Sequence, residues 1–136
     1  MNGLSNLQQL LQMLNPTLSD QEYVFCTFEN ISDTELATLK PTGTFQEPEG
    51  LALILEKQVA FEHGFSNDIV FRMITLQVHS SLDAVGLTAA VATVLAKRNI
   101  SANIVAGYYH DHIFVPADRA EDAMEALRQL SEEAKS

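Results

Sequence analysis

The chain has 136 residues, with 8 Lys+Arg against 18 Asp+Glu and a formal net charge of −10. At 46% hydrophobic and 19% charged it reads as a soluble globular protein, long enough to fold without a disulfide or a metal. The acidic balance argues against nucleic acid and anionic membranes, which both reward Lys and Arg clusters. The charge is uneven. Residues 1–68 carry two bases, Lys40 and Lys57, and ten acids; residues 69–136 carry six bases and eight acids. Two parts with different surfaces are therefore expected, joined near His63-Gly64-Phe65-Ser66-Asn67-Asp68.

Leu4, Leu7, Leu10, Leu11 and Leu14 recur at helical spacing, and Pro16 ends the run. Residues 1–19 hold no charge, but six Gln/Asn and a proline make them a poor membrane span, and the first base, Lys40, comes too late for a signal peptide. A cytoplasmic protein is expected. Residues 22–28 read as a strand, and it contains Cys26, the single cysteine, whose expected role is a buried structural thiol. Ser32-Asp33-Thr34-Glu35 predicts a capping box before a short helix that ends near Lys40-Pro41. A loop or short strand follows between Gly43 and Pro48, then an apolar strand over Leu51 to Leu55. Lys57 to His63 predicts a further helical turn, closed by Gly64. The first half thus reads α-β-α-β-β-α.

The second half begins with a strand from Phe71 to His79. Ser80-Ser81-Leu82-Asp83 is a polar turn before a helix that runs from about Ala84 to Asn99. Leu87, Val91, Val94, Leu95 and Arg98 form one stripe of that helix. Asn103 to Tyr109 and His112 to Val115 are two strands with a tight turn around His110-Asp111. Asp118 with Glu121 predicts the cap of a last helix that buries Ala120, Ala123, Met124, Leu127 and Leu130. The order β-α-β-β-α is most of a ferredoxin-like split βαβ unit, without its final edge strand. That strand has to come from the first half, so the two halves should be interlaced.

Three local features bear on function. The segment His79 to Gly86 joins a strand to a helix through two hydroxyls and an aspartate. A helix N-terminus attracts carboxylates or phosphates, and Asp83 can hold an ammonium, so the segment suits an amino-acid zwitterion. The competing reading is that Ser81 or Asp83 caps the helix and Gly86 allows close packing. His110-Asp111-His112 places two imidazoles at alternate positions, which raises a metal site through His110 and His112 against a hairpin with local hydrogen bonds. Glu47 and Glu49 flank Pro48 in a loop, which reads as solvated surface. No phosphate loop, nucleophile elbow or zinc-protease helix is present in the sequence, and nothing demands an enzyme.

Residues Leu76-Gln77-Val78-His79-Ser80-Ser81-Leu82-Asp83-Ala84-Val85-Gly86-Leu87-Thr88-Ala89-Ala90-Val91 resemble a signature of bacterial stand-alone ACT-like proteins. So does Asn103-Ile104-Val105-Ala106-Gly107-Tyr108-Tyr109-His110-Asp111-His112-Ile113-Phe114-Val115-Pro116. These proteins are related to the ACT pairs of aspartate kinases and to cytosolic arginine sensors of animals. Glu49-Gly50-Leu51 resembles their entry into an N-terminal strand, with Pro48 where another acid is expected. The resemblance implies an α+β fold of tandem ferredoxin-like (βαββαβ) units, with interlaced antiparallel sheets and helices on one face. It implies a degenerate N-terminal unit over 1–66 and a more typical one over 67–136.

The function implied is non-enzymatic: binding of a small-molecule amino acid to regulate a partner, with no cofactor, metal, nucleic acid or membrane involved. Carried over, Ser80, Ser81 and the amides near Gly86, Val85 among them, hold the carboxylate, and Asp83 attracts the amino group. Asn103 and Ile104 line the pocket, and Glu49 and Gly50 are counted with the ligand-binding positions on their own resemblance. A homodimer is implied by the habit of ACT sheets to pair edge to edge. The alternative is a ligand-free module whose sheet serves only for assembly.

Overall fold

The computed structural model describes residues 6–65 and 69–136; Leu4 and the junction residues Ser66, Asn67 and Asp68 lie outside the described residues. The chain divides into two compact units, Met1–Asp20 with Arg72–Ser136, and Gln21–Phe71.

In the first unit, α1 (Leu7–Gln12) is capped by Asn6, whose side chain accepts from the Gln9 amide at 3.1 Å. Leu10 and Leu14 of the predicted stripe are fully buried. Strand β1 (Pro16–Phe28) starts six residues before the predicted strand. Thr17, Ser19, Asp20 and Gln21 leave Leu18 as the only apolar side chain there, so no alternation announces it. The opening of β1 runs beside β4 (Phe71–Leu76). Gln77 and Val78 extend the contact, donating their amides to the carbonyls of Asn15 (3.2 Å) and Leu14 (3.4 Å). Arg72 donates to the Ser19 carbonyl from Nε (3.0 Å) and Nη2 (2.6 Å). With β5 (Asn103–Ala106) and β6 (Asp111–Pro116) the strand order is β1-β4-β6-β5. The missing fourth strand is thus supplied by the N-terminal residues, and the interlacing predicted from the sequence is present.

Helix α4 (Leu87–Lys97) buries Leu87, Val91 and Leu95, and α5 (Ala120–Ala134) buries Ala120, Ala123, Met124, Ala126 and Leu127. Together with α1 they share one core with Ile74, Leu76, Ile113 and Val115 of the sheet. Two predicted boundaries shift. Helix α4 begins at Leu87, three residues after the predicted start, because Gly86 takes a φ of 101° and is itself the N-cap. Asp118 does not cap the last helix. It lies in a 3₁₀ turn, Ala117–Arg119, and Arg119 is the N-cap residue without a side-chain cap bond. Arg119 instead ties off the end of α4, donating to the carbonyls of Arg98 (3.1 Å) and Asn99 (3.3 Å) and to Asp122 (3.1 Å).

The β5–β6 hairpin pairs Asn103 with Phe114 and Ala106 with Asp111. Its turn is therefore Gly107–His110, centred on Tyr108-Tyr109 and not on His110-Asp111, and the Gly107 amide donates to the His110 carbonyl at 2.9 Å. A Cβ at Gly107 would meet that carbonyl at 2.9 Å and His112 Nε2 at 3.1 Å, so the turn closes only around a glycine. His112 Nδ1 and Thr75 Oγ1 are hydrogen-bonded at 2.9 Å, joining β6 to β4. Burial lowers the His112 imidazole below its ordinary 6.5, with His110 adding to the shift and Asp111 opposing it. Burial raises the Asp111 carboxyl above its ordinary 3.8, against the pull of both histidines.

The second unit orders its strands β2-β3-β1, with β2 (Gly43–Glu47) and β3 (Gly50–Glu56) forming a hairpin and β3 antiparallel to the later part of β1. The predicted capping box is present: Ser32 accepts from the Glu35 amide at 3.1 Å at the start of α2 (Asp33–Leu39). Short α3 (Lys57–Glu62) completes the α-β-α-β-β-α order read from the sequence. Val24, Leu39, Leu53, Leu55 and Ala60 make this unit's core. Gly50 is constrained by close approach, since a Cβ there would sit 2.4 Å from the Phe28 carbonyl oxygen.

Two outcomes follow for stability. Gly50→Ala should lower the unfolding free energy by about 1–3 kcal/mol in urea titration, because the strands must part to admit the methyl group. Gly43→Ala, whose Cβ would meet only the Ile54 side chain at 3.4 Å, should cost clearly less. Acidification from pH 7 through the region just below 6.5 should destabilise the protein, because the unfolded chain takes up the His112 proton before the folded one. Asp111 acts lower, between 3.8 and its raised value, where the folded chain holds the extra proton and acidification restores stability. Denaturation at a series of pH values should give a shallower slope below 6.5 in His112→Gln; an unchanged slope would refute the assignment.

Candidate functional site

The segment between β4 and α4 occupies residues 77–86. Its first part is anchored by the two amide bonds to the α1–β1 connection, and Val78 is buried. Beyond it the chain turns outward. Leu82 is 69% exposed and Val85 82%, and Asp83 is also exposed. The Ser81 carbonyl accepts from the Ala84 amide at 3.0 Å and tightens the bend. Gly86 closes it, and a Cβ there would meet Leu7 Cδ2 at 3.1 Å, so its left-handed backbone and its packing both call for glycine. No side chain caps α4. Among the described residues the competing reading, in which Ser81 or Asp83 caps it, is therefore not met, and the first-turn amides keep the positive end of the dipole.

Ser80 is half-buried, and Ser81 is half-buried with its Oγ wholly enclosed and without a hydrogen-bond partner. A second atom of the same kind, His110 Nδ1, lies in the Gly107–His110 turn. The turn and the loop adjoin each other. The His79 and Tyr109 rings are 5.4 Å apart, and Tyr109 also packs on Tyr108 (5.0 Å) and beside His110 (6.4 Å). Tyr108 and Tyr109 are more than half exposed. Loop and turn together thus form one end of the unit's sheet, rimmed by aromatic rings and holding two enclosed polar atoms.

The remaining predicted positions lie elsewhere. Asn103 is exposed and opens β5 opposite Phe114, three residues before Ala106 and so roughly 10 Å along the strand from the turn. Ile104 is half-buried against the unit's core. Glu49 is exposed in the β2–β3 turn of the other unit, and Gly50 begins β3. Sequence reasoning passed over Tyr109 as a neighbour of the loop. The clue was Gly107, which sets the turn one step earlier and lifts the tyrosine pair to its tip.

Other chemistry has little footing. His110 lies in the turn before β6 begins at Asp111, and His112 is engaged by Thr75, so the two imidazoles do not share a strand face as alternate residues. Among the described residues no group of three or more His, Cys, Asp or Glu is placed to hold a metal ion. Burial raises the Cys26 thiol pKa, the opposite of what a nucleophile requires. A cleft of ≈ 260 Å³ lined in part by Gln12, Asn15, Arg128 and Lys135 contains none of the predicted site residues. No helix among the described residues is long and apolar enough to cross a membrane.

An ACT domain model matches residues 2–72 and a second ACT domain model matches residues 68–129. Among solved structures, a Vibrio cholerae protein of unknown function, a possible transport protein, is 50% identical over 88% of this chain and 92% of its own, with a TM-score of 0.80. The ligand-free regulatory subunit of aspartate kinase from Thermus thermophilus shares the fold at 14% identity, covering 87% of this chain and 97% of its own, with a TM-score of 0.64. An Agrobacterium tumefaciens protein shares it at 16% identity over 81% of each chain, with a TM-score of 0.58. No curated protein matches the chain. With two matches in tandem and an α+β fold of the same kind, the chain belongs to the ACT domain family.

Proposed function

We propose that this chain is a cytoplasmic, non-catalytic regulatory protein that binds an amino acid at the loop before α4 and acts as a homodimer. ACT domains are regulatory modules, and relatives bind amino acids. The observation that carries the reading here is the α4 N-terminus, which no side chain among the described residues caps. A carboxylate answers it by accepting from the first amides of α4. Half-buried Ser80 adds a hydroxyl, Val85 and Gly86 lead into those amides, and exposed Asp83 attracts the ammonium group.

Asn103 and Ile104 enter this reading from a second copy. Among the described residues β5 ends the strand order, so one row of its backbone groups has no strand neighbour there and suits pairing with the same strand of another molecule. The acidic surface favours a cationic or zwitterionic ligand over a phosphate, within the short reach that physiological salt allows. The exposed Leu82 and Val85 favour a second reading, a ligand-free assembly module in which this loop is a protein contact. The two readings differ in thermal response.

A thermal-shift screen of the common amino acids should find at least one that raises the unfolding midpoint. At about 100 times its dissociation constant the ligand adds about 2.7 kcal/mol to stability. Ser80→Ala should weaken that ligand tenfold or more, about the cost of one hydrogen bond to a charged group. Asp83→Ala should weaken it as well. No shift with any amino acid, together with a dimeric mass in sedimentation, would favour the assembly module. An equal shift in both variants would place the ligand elsewhere.

A further inference from the structure

The cleft of ≈ 260 Å³ lies within the first unit, between the α1–β1 connection and the last two turns of α5, and the amino-acid reading leaves it unused. Its walls are pinned by the chain itself. Ser131 donates to the Gln12 carbonyl at 3.2 Å, and the Gln12 side chain donates to the Ala134 carbonyl at 3.0 Å. Asn15 takes a left-handed φ of 44°, which asparagine tolerates better than most residues, and its carbonyl accepts from the Gln77 amide. Arg128, Glu132 and Lys135 stand at i, i+4 and i+7, so one face of α5 brings two cations and one acid to the cleft. Three of the four arginines are engaged: Arg72 by the Ser19 carbonyl, Arg98 by Gln129, and Arg119 by two carbonyls and Asp122. The fourth is Arg128, which among the described residues has no hydrogen-bond or ion-pair partner.

We infer that this cleft is a second small-molecule site, one for a small dicarboxylic acid, with Arg128 and Lys135 each holding a carboxylate. A guanidinium meets a carboxylate through two parallel N–H donors, and an unengaged one gives up no other bond to do so. Lys135 is tied to Glu132 at 3.1 Å, but both side chains are more than half exposed. An exposed pair of this kind is worth little, so a ligand carboxylate displaces it. Asn15 adds a neutral amide donor, and Met13 and Pro16 offer apolar surface to the carbon chain between the two carboxylates. The carbonyl end of α5 is a weak obstacle to an anion, because Gln8 and Gln12 both donate to its Ala134 carbonyl. Seven residues of helix set the two cations about 10 Å apart at Cα, so one compact phosphate would leave one of them unanswered. The volume falls below the roughly 300–1,000 Å³ of drug-sized sites and suits a short diacid.

The test is an amide NMR titration of the isotope-labelled full chain with succinate, glutarate, acetate and inorganic phosphate at matched ionic strength. Succinate or glutarate should move the amides of residues 12–15 and 128–135 saturably, and bind at least about tenfold more tightly than acetate or phosphate. Arg128→Gln should weaken the diacid about tenfold or more, the cost of a hydrogen bond to a charged group. Arg128→Lys keeps the charge without the fork and should recover only part of that loss. Both variants should keep the thermal midpoint, because Arg128 is exposed and unpartnered among the described residues. No saturable movement by either diacid up to about 10 mM would overturn the inference. So would acetate or phosphate binding as tightly as the diacids, or undiminished binding in Arg128→Gln. Movement confined to residues 79–86 would put the diacid at the loop before α4 and equally refute the cleft. The amino-acid reading is tested by its own screen and by Ser80→Ala, so either can fail without the other.

Discussion

Strand β4 needs a hydrogen-bonding partner on the side away from β6, and the chain meets that need with residues that precede it by more than fifty positions. The opening of β1 fills that side, and the carbonyls of Leu14, Asn15 and Ser19 accept from the Val78 and Gln77 amides just beyond β4 and from the Arg72 guanidinium. Much else follows from this one pairing. It keeps α1 beside α4 and α5 in a single core, which is why Leu10 and Leu14 are fully buried although their helix has only six residues. A helix that short is not stable by itself in water, so its order is a product of tertiary packing. The same pairing anchors the amides of Gln77 and Val78, where the loop before α4 leaves the sheet.

The loop and the turn that face each other at that end are both shaped by glycine. Gly86 takes a left-handed conformation with Leu7 pressed close where a Cβ would stand, and so delays α4 until Leu87. An earlier helix start would bring Ala84 and Val85 into the first turn and shorten the exposed loop. Gly107 plays the corresponding part in the hairpin. Any side chain there would strike the His110 carbonyl, and the turn would open by moving Tyr109 off His79. Two residues without side chains thus determine where two serines, two tyrosines and a histidine are presented.

Much of this was legible in the sequence, and the failures have definite causes. The Ser32 capping box, the stripe of α4, the buried face of α5 and, of the α1 stripe, Leu10 and Leu14 rest on periodicity or cap chemistry, and they hold, whereas Leu7 is exposed. The absence of a fourth strand was also readable, as a deficit in β-α-β-β-α. The start of β1 was not, because Thr17, Ser19, Asp20 and Gln21 earn their place by backbone pairing, which leaves no hydrophobic pattern. Asp118 failed as a cap because Arg119 ties off the neighbouring helix through contacts 20 and 21 residues away in sequence, and no local motif encodes that. In the site, Ser80, Ser81, Asp83, Val85 and Gly86 share one loop as their proximity in sequence requires. The adjoining Tyr109 and His110 come from a turn whose register depends on Gly107.

An enclosed polar atom without a partner costs about 1–3 kcal/mol, and among the described residues Ser81 Oγ and His110 Nδ1 are two such atoms. A whole domain is stable by only about 5–15 kcal/mol, so the pair weighs against the folded state. Other polar groups of the described residues are answered: Ser131 donates to the Gln12 carbonyl, His112 pairs with Thr75, and Arg119 bonds two carbonyls and a carboxylate. The two costs fall in the loop and the turn that Gly86 and Gly107 shape, outside the core that α1, α4 and α5 share.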